Sequence, residues 1–346
     1  MLKREIIEDI VMLLRGFFAT PIISTLGRMG VLEGMGSASS FTVNDFPNIP
    51  NKKLLQDTIH YFVRIGLLEK VNGQDEAYAA SDLGKEIFRR SNSFYVPHSY
   101  FEYMHHYQDL VQDPSGQVKC EVERLENVIG SGKTHERYFP PIISFLKRKV
   151  DFDVIVDIGC GDGRFLSTFL RDVSDKKAVG IDISRLSTEE ASKNLRNQYP
   201  QRDITMVCSD ALDVKKWSKE VLRAAGTGKI VIAMWFLLHE ISGNEPENLV
   251  KFFRRIHEVF PAAPIVIGEV VRQSDDVLMN NNARSIMSEY LFFHEISGQG
   301  ILSWEGYRGL LNNIPYELSI ERLFDELPGS DGKKMPSAFV WCLMPK

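Results

Sequence analysis

The segment VIVDIGCGDGRFL, from Val154 to Leu166, decides the fold of the chain. Its first five residues form an apolar, mostly β-branched run that is typical of a buried strand, and the run stops at Gly159, Gly161 and Gly163. Apolar residues at helical spacing follow the glycines. Strand, glycine turn and helix together predict the opening βαβ unit of a nucleotide-binding α/β domain, because glycines let backbone approach a ligand closely.

Carboxylates lie at the positions where a bound cofactor would need them. Asp157 stands inside the first strand, where it can organise the turn and meet the cationic amino-acid part of S-adenosylmethionine. The run VGID ends a second strand at Asp182, 23 residues after Gly159, where an acceptor for ribose hydroxyls is expected. The run MVCSD ends a third strand at Asp210, which suits the adenine amino group.

In this order the residues resemble the S-adenosylmethionine-dependent methyltransferases of the Rossmann-like class, over residues 135–346. The resemblance implies a doubly wound α/β sheet and S-adenosylmethionine as the cofactor. The candidate cofactor-binding residues are Asp157, Gly159, Gly161, Gly163, Asp182, Ile183, Ser209, Asp210, Ala211 and Trp235. Core packing is the alternative role for Trp235.

Composition limits the class of protein. The chain has 346 residues, a net charge of −5 and a pI of about 6.0, which predicts two domains and argues against a nucleic-acid partner. Its apolar runs are too short to span a bilayer, and the first residues lack the apolar core of a signal peptide. The four cysteines are scattered without CxxC spacing, so we expect reduced thiols in a cytoplasmic protein.

Residues 151–346 alternate between strand and helix patterns, which predicts a parallel sheet covered on both faces. The expected strands are 153–158, 178–183, 204–208, 229–235, 264–271, 316–324 and 337–344. A capping box at Ser187 to Glu190 predicts a helix start, and a second helix is expected from Glu245 to Phe260. The family resemblance adds that the last strand is antiparallel.

Residues 1–90 are predicted to form a mainly helical domain with a winged-helix pattern. Amphipathic helices over 1–35 and 54–68 are followed by Asn72-Gly73, a strong hairpin signal. Such domains can bind DNA, but the wing carries Asp75 and Glu76, which suit a phosphate backbone poorly. This region resembles the dimerisation domain of small-molecule O-methyltransferases, so we expect a homodimer without nucleic acid or membrane.

Residues 91–150 are predicted to be a helical linker and lid, and residues 151–346 the catalytic domain. The lid carries an aromatic cluster of Tyr95, His98, Tyr100, Phe101, Tyr103, His105, His106 and Tyr107. The cluster either packs as core or interface, or roofs the substrate.

The pentapeptide HEISG occurs twice, at His239 to Gly243 and at His294 to Gly298. The first copy follows the fourth strand, at the edge of the sheet where open α/β folds bind ligands. The second copy ends a long helical segment from Asp275, which in the methyltransferase family lines the substrate pocket. Both histidines can therefore face one cavity.

Three interpretations of the two histidines compete. Each can be a buried, hydrogen-bonded side chain, with the repeat due to chance. His239 can be the general base of an O-methyltransferase, since imidazole deprotonates a hydroxyl near neutral pH. Alternatively, His239 and His294 together bind a divalent metal such as iron or zinc, leaving open positions for a chelating substrate.

The metal interpretation matches a known family. The chain resembles the α-keto-acid C-methyltransferases of bacterial nonribosomal-peptide biosynthesis, an antibiotic-type pathway, which combine a winged-helix dimerisation domain with two metal-binding histidines. The resemblance implies that a 2-oxo acid, such as 2-oxoarginine or an aryl pyruvate, chelates the metal and is methylated at C3 as its enolate. Plant-type O-methyltransferases carry a tryptophan after the His-Asp pair, whereas Ile241 and Ser242 stand here.

Several residues can support either chemistry. Glu240 and Glu295 can orient the imidazoles, ligate the metal or only cap loops. Gln299 can be an additional oxygen ligand, and Arg284 can pair with a substrate carboxylate.

Overall fold

The computed structural model describes residues 4–71, 73, 76–115, 118–243, 245–281 and 285–346. The chain divides into a unit of residues 1–101 with 129–133 and a unit of residues 102–128 with 134–346. The division into parts 1–90, 91–150 and 151–346 stays a prediction.

The first unit is mainly helical, as its amphipathic patterns predict. A short antiparallel hairpin joins β1 (Leu68–Lys70) to β2 (Tyr78–Ala80). The helix expected over 54–68 is shorter, because it ends at Arg64 before Gly66 adopts a positive φ of 82°. Asn72 and Asp75 of the predicted hairpin turn lie outside the described residues. The winged-helix assignment stays a prediction.

Helices make up most of the described chain before the large sheet. They are α1 (Arg4–Arg28), α2 (Val31–Ser37), α3 (Lys52–Arg64), α4 (Asp82–Arg89), α5 (Tyr95–Ser99), α6 (Phe101–His105), α7 (Tyr107–Gln112), α8 (Arg124–His135) and α9 (Phe139–Lys149).

The second unit is built on a large mixed sheet. Among the described residues it has seven strands in the order β5-β4-β3-β6-β7-β11-β8. β3 to β7 run parallel, and β11 pairs antiparallel with both of its neighbours, β7 and β8, so it alone is reversed among these strands. The strands are β3 (Val154–Ile158), β4 (Lys177–Asp182), β5 (Ile204–Cys208), β6 (Ile230–Trp235), β7 (Ile265–Val270), β8 (Tyr316–Phe324) and β11 (Ala338–Pro345), with a small hairpin of β9 (Leu327–Pro328) and β10 (Lys334–Met335). The predicted α/β fold and its strands are confirmed.

Helices cover both faces of this sheet. They are α10 (Arg164–Asp172), α11 (Arg185–Gln198), α12 (Val214–Ala225), α13 (Leu238–Ser242), α14 (Pro246–Val259), α15 (Asp275–Asn281), α16 (Met287–Ile296) and α17 (Trp304–Leu310). Alternate strand residues enter opposite cores, since Val154 and Val156 pack with α12 and α14 whereas Ile155 packs with α9 and α10. The sheet winds in opposite directions from β3 and β6, so ligands are expected outside the carboxyl ends of these two strands.

Two local predictions were wrong. The N-cap of α11 is Ser184, whose side chain accepts from the N–H of Ser187, so the capping box expected at Ser187 lies inside the helix. The segment expected as one long helix from Asp275 is instead two helices, because α15 ends at Asn281 and α16 begins at Met287. No helix in the described part of the chain is long and apolar enough to cross a membrane.

Candidate active site

The glycine turn after β3 begins two residues after a buried carboxylate, Asp157. Gly159, Gly161 and Gly163 have φ values of 74°, 53° and 79°, a region that favours glycine because it has no Cβ. Asp157 is 1% exposed, and its buried Oδ1 accepts no hydrogen bond from the described residues. Burial, with the charges of Asp182 and Asp162, raises the pKa of Asp157 well above its usual value. A buried acid of this kind suits a cationic ligand group.

Asp182 connects the end of β4 to the glycine turn. Its Oδ2 accepts a hydrogen bond of 2.9 Å from the N–H of Gly161, and its Oδ1 accepts one of 2.8 Å from the N–H of Ser184. Burial raises the pKa of Asp182, although these hydrogen bonds oppose the shift. Because each carboxylate oxygen has two lone pairs, both can still accept from ribose hydroxyls, the role predicted for Asp182.

The end of β5 supplies polar and apolar groups near Asp182. The N–H of Ser209 donates to the carbonyl of Asp182 at 2.9 Å, and the Oδ1 of Asp210 accepts from the N–H of Leu212 at 2.8 Å. Ile183, the residue after Asp182 at the end of β4, is 60% exposed although it is apolar. Ala211, half-buried, follows Asp210. These residues lie together at one edge of the sheet, as predicted, and their contact with adenine stays a prediction.

Trp235, the last residue of β6, packs in the core. Its ring lies 4.7 Å from the ring of Phe139 and 5.1 Å from that of Phe165, measured between centroids. The side chain faces α9 and α10, which is the packing alternative considered for this residue.

His239 forms a buried pair with an acid of the neighbouring strand. It lies in α13, directly after β6, and its Nδ1 is 2.9 Å from the Oε1 of Glu269 in β7. Since a carboxylate only accepts, Nδ1–H is the donor, and in the neutral imidazole Nε2 carries the lone pair. Burial opposes charge on this imidazole, but the charge and hydrogen bond of Glu269 outweigh it, so the pKa of His239 is raised.

Glu269 is fully buried and is held by the backbone as well as by His239. Its Oε2 accepts from the N–H of Leu238 at 2.7 Å and of His239 at 3.3 Å, and its Oε1 accepts from the N–H of Val270 at 2.8 Å. These bonds fix the carboxylate against α13. Glu269 was not among the site residues expected from the sequence, although a lone acid inside the apolar strand IVIGEV is a usable signal.

His294 brings a second buried imidazole to the same place. Its ring centroid lies 4.9 Å from that of His239, with the planes at 74°. Its Nδ1 lies 2.6 Å from the carbonyl of Tyr290, so Nδ1–H donates and Nε2 carries the lone pair. Burial, with the charge of His239, lowers the pKa of His294 to about 3, which keeps this imidazole neutral at physiological pH. The doubled pentapeptide therefore does bring its two histidines together.

The glutamates of the pentapeptide both pair with arginines. Glu240 accepts from Arg124 at 2.8 Å, and Glu295 forms an ion pair with Arg272. The side chains of these two glutamates and two arginines are all at least one-third exposed. Glu269, rather than Glu240, is the carboxylate that bonds the imidazole of His239.

The other predicted supporting residues have mixed outcomes. The backbone N–H of Gln299 donates to the carbonyl of His294 at 2.8 Å, and its buried Oε1 accepts no hydrogen bond from the described residues. Arg284 lies outside the described residues. Within the described ranges, no group of three or more His, Cys, Asp or Glu side chains is arranged to hold a metal ion.

A family match covers the cofactor-side strands and His239, but not Glu269 or His294. Residues 155–260 match the methyltransferase domain family. A protein-lysine N-methyltransferase of Saccharolobus islandicus (strain REY15A) is 34% identical over 67 residues, which are 18% of this chain and 42% of that protein. An uncharacterized protein of Methanocaldococcus jannaschii is 39% identical over 62 residues, 18% of this chain and 27% of that protein. The chain thus spans less than half the length of these curated relatives.

Solved structures share the fold over the whole chain. Human N-acetylserotonin methyltransferase in complex with the cofactor is 12% identical, with a TM-score of 0.63 over 99% of this chain and 98% of that chain. The mitomycin 7-O-methyltransferase is 14% identical, with a TM-score of 0.60 over 98% and 97%. An O-methyltransferase family protein from Burkholderia thailandensis is 10% identical, with a TM-score of 0.63 over 100% and 99%. The family match and this shared fold show that the chain contains a class I, S-adenosylmethionine-dependent methyltransferase domain.

Proposed function

We propose that the chain transfers the methyl group of S-adenosylmethionine to C3 of a small 2-oxo acid, such as an aryl pyruvate or 2-oxoarginine. The observation that supports this best is the pair of buried imidazoles, His239 and His294, 4.9 Å apart between ring centroids. A single general base would need one imidazole. Here a second imidazole, His294, is buried beside the first.

The cofactor would lie along the carboxyl ends of β3, β4 and β5. Asp157 would meet the cationic amino-acid part, since its buried carboxylate has no hydrogen bond to Oδ1 from the described residues. Asp182 would accept from the ribose, and Asp210 would receive the adenine amino group. The acceptor would then lie on the other side of the switch point, against β6 and β7.

The donor chemistry of the site fits a divalent cation. Both imidazoles use Nδ1–H for an oxygen acceptor, which is the arrangement that fixes the Nε2 of metal-binding histidines. Gln299 has a buried Oε1 that accepts nothing among the described residues. His239, His294 and Gln299 would hold the cation, and a bound cation would act as a Lewis acid on the 2-oxo group. Glu269 and the carbonyl of Tyr290 would keep the two imidazoles in place.

Methylation of a hydroxyl group is the second candidate, and the His239–Glu269 pair supports it. With Nδ1–H bound to Glu269, only Nε2 can act, and it can accept a proton from a hydroxyl or bind a metal, but not both at once. The O-methyltransferases among the structures that share the fold are consistent with this candidate. The two functions are therefore alternative uses of one nitrogen atom.

Isotope exchange separates the two candidates. The purified protein would be incubated in D₂O with phenylpyruvate or 2-oxoarginine and without methyl donor, and C3 deuteration followed by NMR. We expect exchange above the uncatalysed rate, and its loss on chelation. A parallel methylation assay would use these 2-oxo acids and catechol. Chelator-insensitive methylation of catechol, with no exchange at C3, would establish O-methylation instead.

We also propose that α1 mediates homodimerisation. Its exposed residues include Ile10, Leu13, Leu14, Phe17 and Phe18, which are 46–77% accessible. Such a row of large apolar side chains along one helix is typical of a protein interface.

A further inference from the structure

An unusual backbone conformation lies at the point where the sheet reverses its winding. Phe236 is the first residue after β6, and its φ of 54° is in the left-handed region that non-glycine residues rarely adopt. Its N–H still donates to the carbonyl of Gly268 at 2.7 Å, so the strained residue is held by the neighbouring strand. Strain of this kind is concentrated at functional sites.

Trp235 and Phe236 adjoin in sequence, but their aromatic rings lie in different places. The ring of Trp235 enters the core against Phe139 and Phe165. The ring of Phe236 instead stacks on His135, the last residue of α8, with centroids 3.4 Å apart and planes at 15°. Both stacked side chains are half-buried, so part of the pair remains accessible.

The stacked pair lies beside the groups of the proposed reaction. Phe236 packs against the apolar cluster of Val270, Leu291 and Ile301, where Leu291 belongs to the same helix as His294. Burial, then the charge of His239, holds the pKa of His135 well below its usual value. The pair thus lies beside the helix that carries His294.

We propose that His135 and Phe236 form an aromatic wall that aligns a planar acceptor anion for methyl transfer, with His135 as the positioning residue that holds the Phe236 ring. This inference rests on the proposed function, since an enolate and a phenolate are both planar and conjugated. A flat acceptor stacks well on aromatic rings. Methyl transfer needs the acceptor atom in line with the sulfonium, and a misplacement of about 1 Å can cost about 10²-fold in rate.

Replacement of His135 tests the wall without altering the catalytic pair. His135→Ala removes the stack, whereas His135→Phe keeps an aromatic ring and removes the nitrogens. Tyr138→Phe is the matched control, because Tyr138 also lies near Phe236, at 5.5 Å, and this change keeps its ring. The assay would use phenylpyruvate or catechol, whichever the wild type methylates, with calorimetry of S-adenosylmethionine binding for each variant.

We expect His135→Ala to lower kcat about 10²-fold while cofactor affinity stays within about twofold, and His135→Phe to restore most of the rate. The Tyr138→Phe variant should resemble the wild type. Three results would overturn this inference but not the proposed function. They are a His135→Ala variant with the wild-type kcat, an equal loss of kcat in His135→Ala and His135→Phe, and a loss of cofactor affinity as large as the loss of kcat. A wild type that methylates neither these probes nor 2-oxoarginine would overturn the proposed function and the inference with it.

Discussion

The backbone N–H of Gly161 donates a hydrogen bond of 2.9 Å to the Oδ2 of Asp182, which lies at the end of the neighbouring strand. The second oxygen of this carboxylate accepts from Ser184 at the start of α11. Asp182 therefore fixes the glycine turn and the next helix together, in addition to the ribose-binding role proposed for it.

Replacement of Asp182 should weaken cofactor binding. Asp182→Ala removes the acceptor for the turn and for the ribose, so we expect a loss of about 1–3 kcal/mol, or roughly 5–150-fold in the Kd for S-adenosylmethionine. Calorimetry measures the change. Asp203→Ala, which alters only an exposed ion pair with Lys177, is the control. Unchanged affinity in Asp182→Ala would remove this residue from the site.

Replacement of Glu269 should damage both stability and activity. Glu269→Gln keeps the size of the side chain, but its amide nitrogen cannot accept, so a buried N–H of Leu238, His239 or Val270 loses its acceptor at a cost of about 1–3 kcal/mol. Misorientation of His239 should lower activity by about 10²-fold or more. Glu295→Gln is the matched control, since its exposed ion pair is worth at most about 1 kcal/mol. Equal urea midpoints and rates for the two variants would contradict this role.

The buried Asp157 should make the cofactor-free protein less stable as the pH rises. Its folded pKa is raised, chiefly by burial, so the folded state binds this proton more tightly than the unfolded state. Stability is therefore lost as pH rises from the unfolded pKa of about 3.9 through the raised folded pKa. Asp157→Asn removes this penalty, so we expect a higher Tm than the wild type at pH 7 and no such advantage near pH 4.

The same variant should lose the stabilisation that the cofactor provides. Saturating S-adenosylmethionine should raise the Tm of the wild type and leave that of Asp157→Asn almost unchanged. A variant that is less stable than the wild type at pH 7, or equally stabilised by the cofactor, would show that Asp157 is a structural residue.

The apolar surface of α1 should determine the oligomeric state. Leu13 and Phe17 are 77% and 61% exposed, so a Leu13→Glu, Phe17→Glu variant should leave the fold intact and disrupt a dimer. Light scattering should give the mass of a dimer for the wild type and of a monomer for the variant. Leu222→Glu, at an exposed leucine of α12, is the control. A monomeric wild type would contradict the proposal.

The strands were predictable because their signal is local. Apolar runs such as VIVDI are buried on both faces, and the acids at Asp182 and Asp210 mark where β4 and β5 end. The start of α11 was less predictable, because serine is a favoured N-cap residue and both Ser184 and Ser187 could take that position. The bend after β4 places Ser184 there. The break between α15 and α16 was also hard to predict, because the sequence there has no proline or glycine.

The candidate site was predictable only in part, because its contacts join distant segments. The repeated pentapeptide indicated His239 and His294, and the structure places their rings together. It could not indicate Glu269, which reaches His239 only because β6 and β7 pair in register. Orienting an imidazole was one of the roles considered for Glu240, but its carboxylate accepts from Arg124.

Metal content and activity of paired histidine variants test the central claim most directly. The claim is that His239 and His294 act together on one ligand. Mass spectrometry would determine bound metal in the wild type, His239→Ala, His294→Ala and the double variant, alongside methylation of a 2-oxo acid. We expect each single variant to lose metal and activity together, and the double variant to be no worse, since either loss dismantles the site. Full activity in His294→Ala, with a rate loss of about 10²–10⁴-fold confined to His239→Ala and no dependence on metal, would contradict the account.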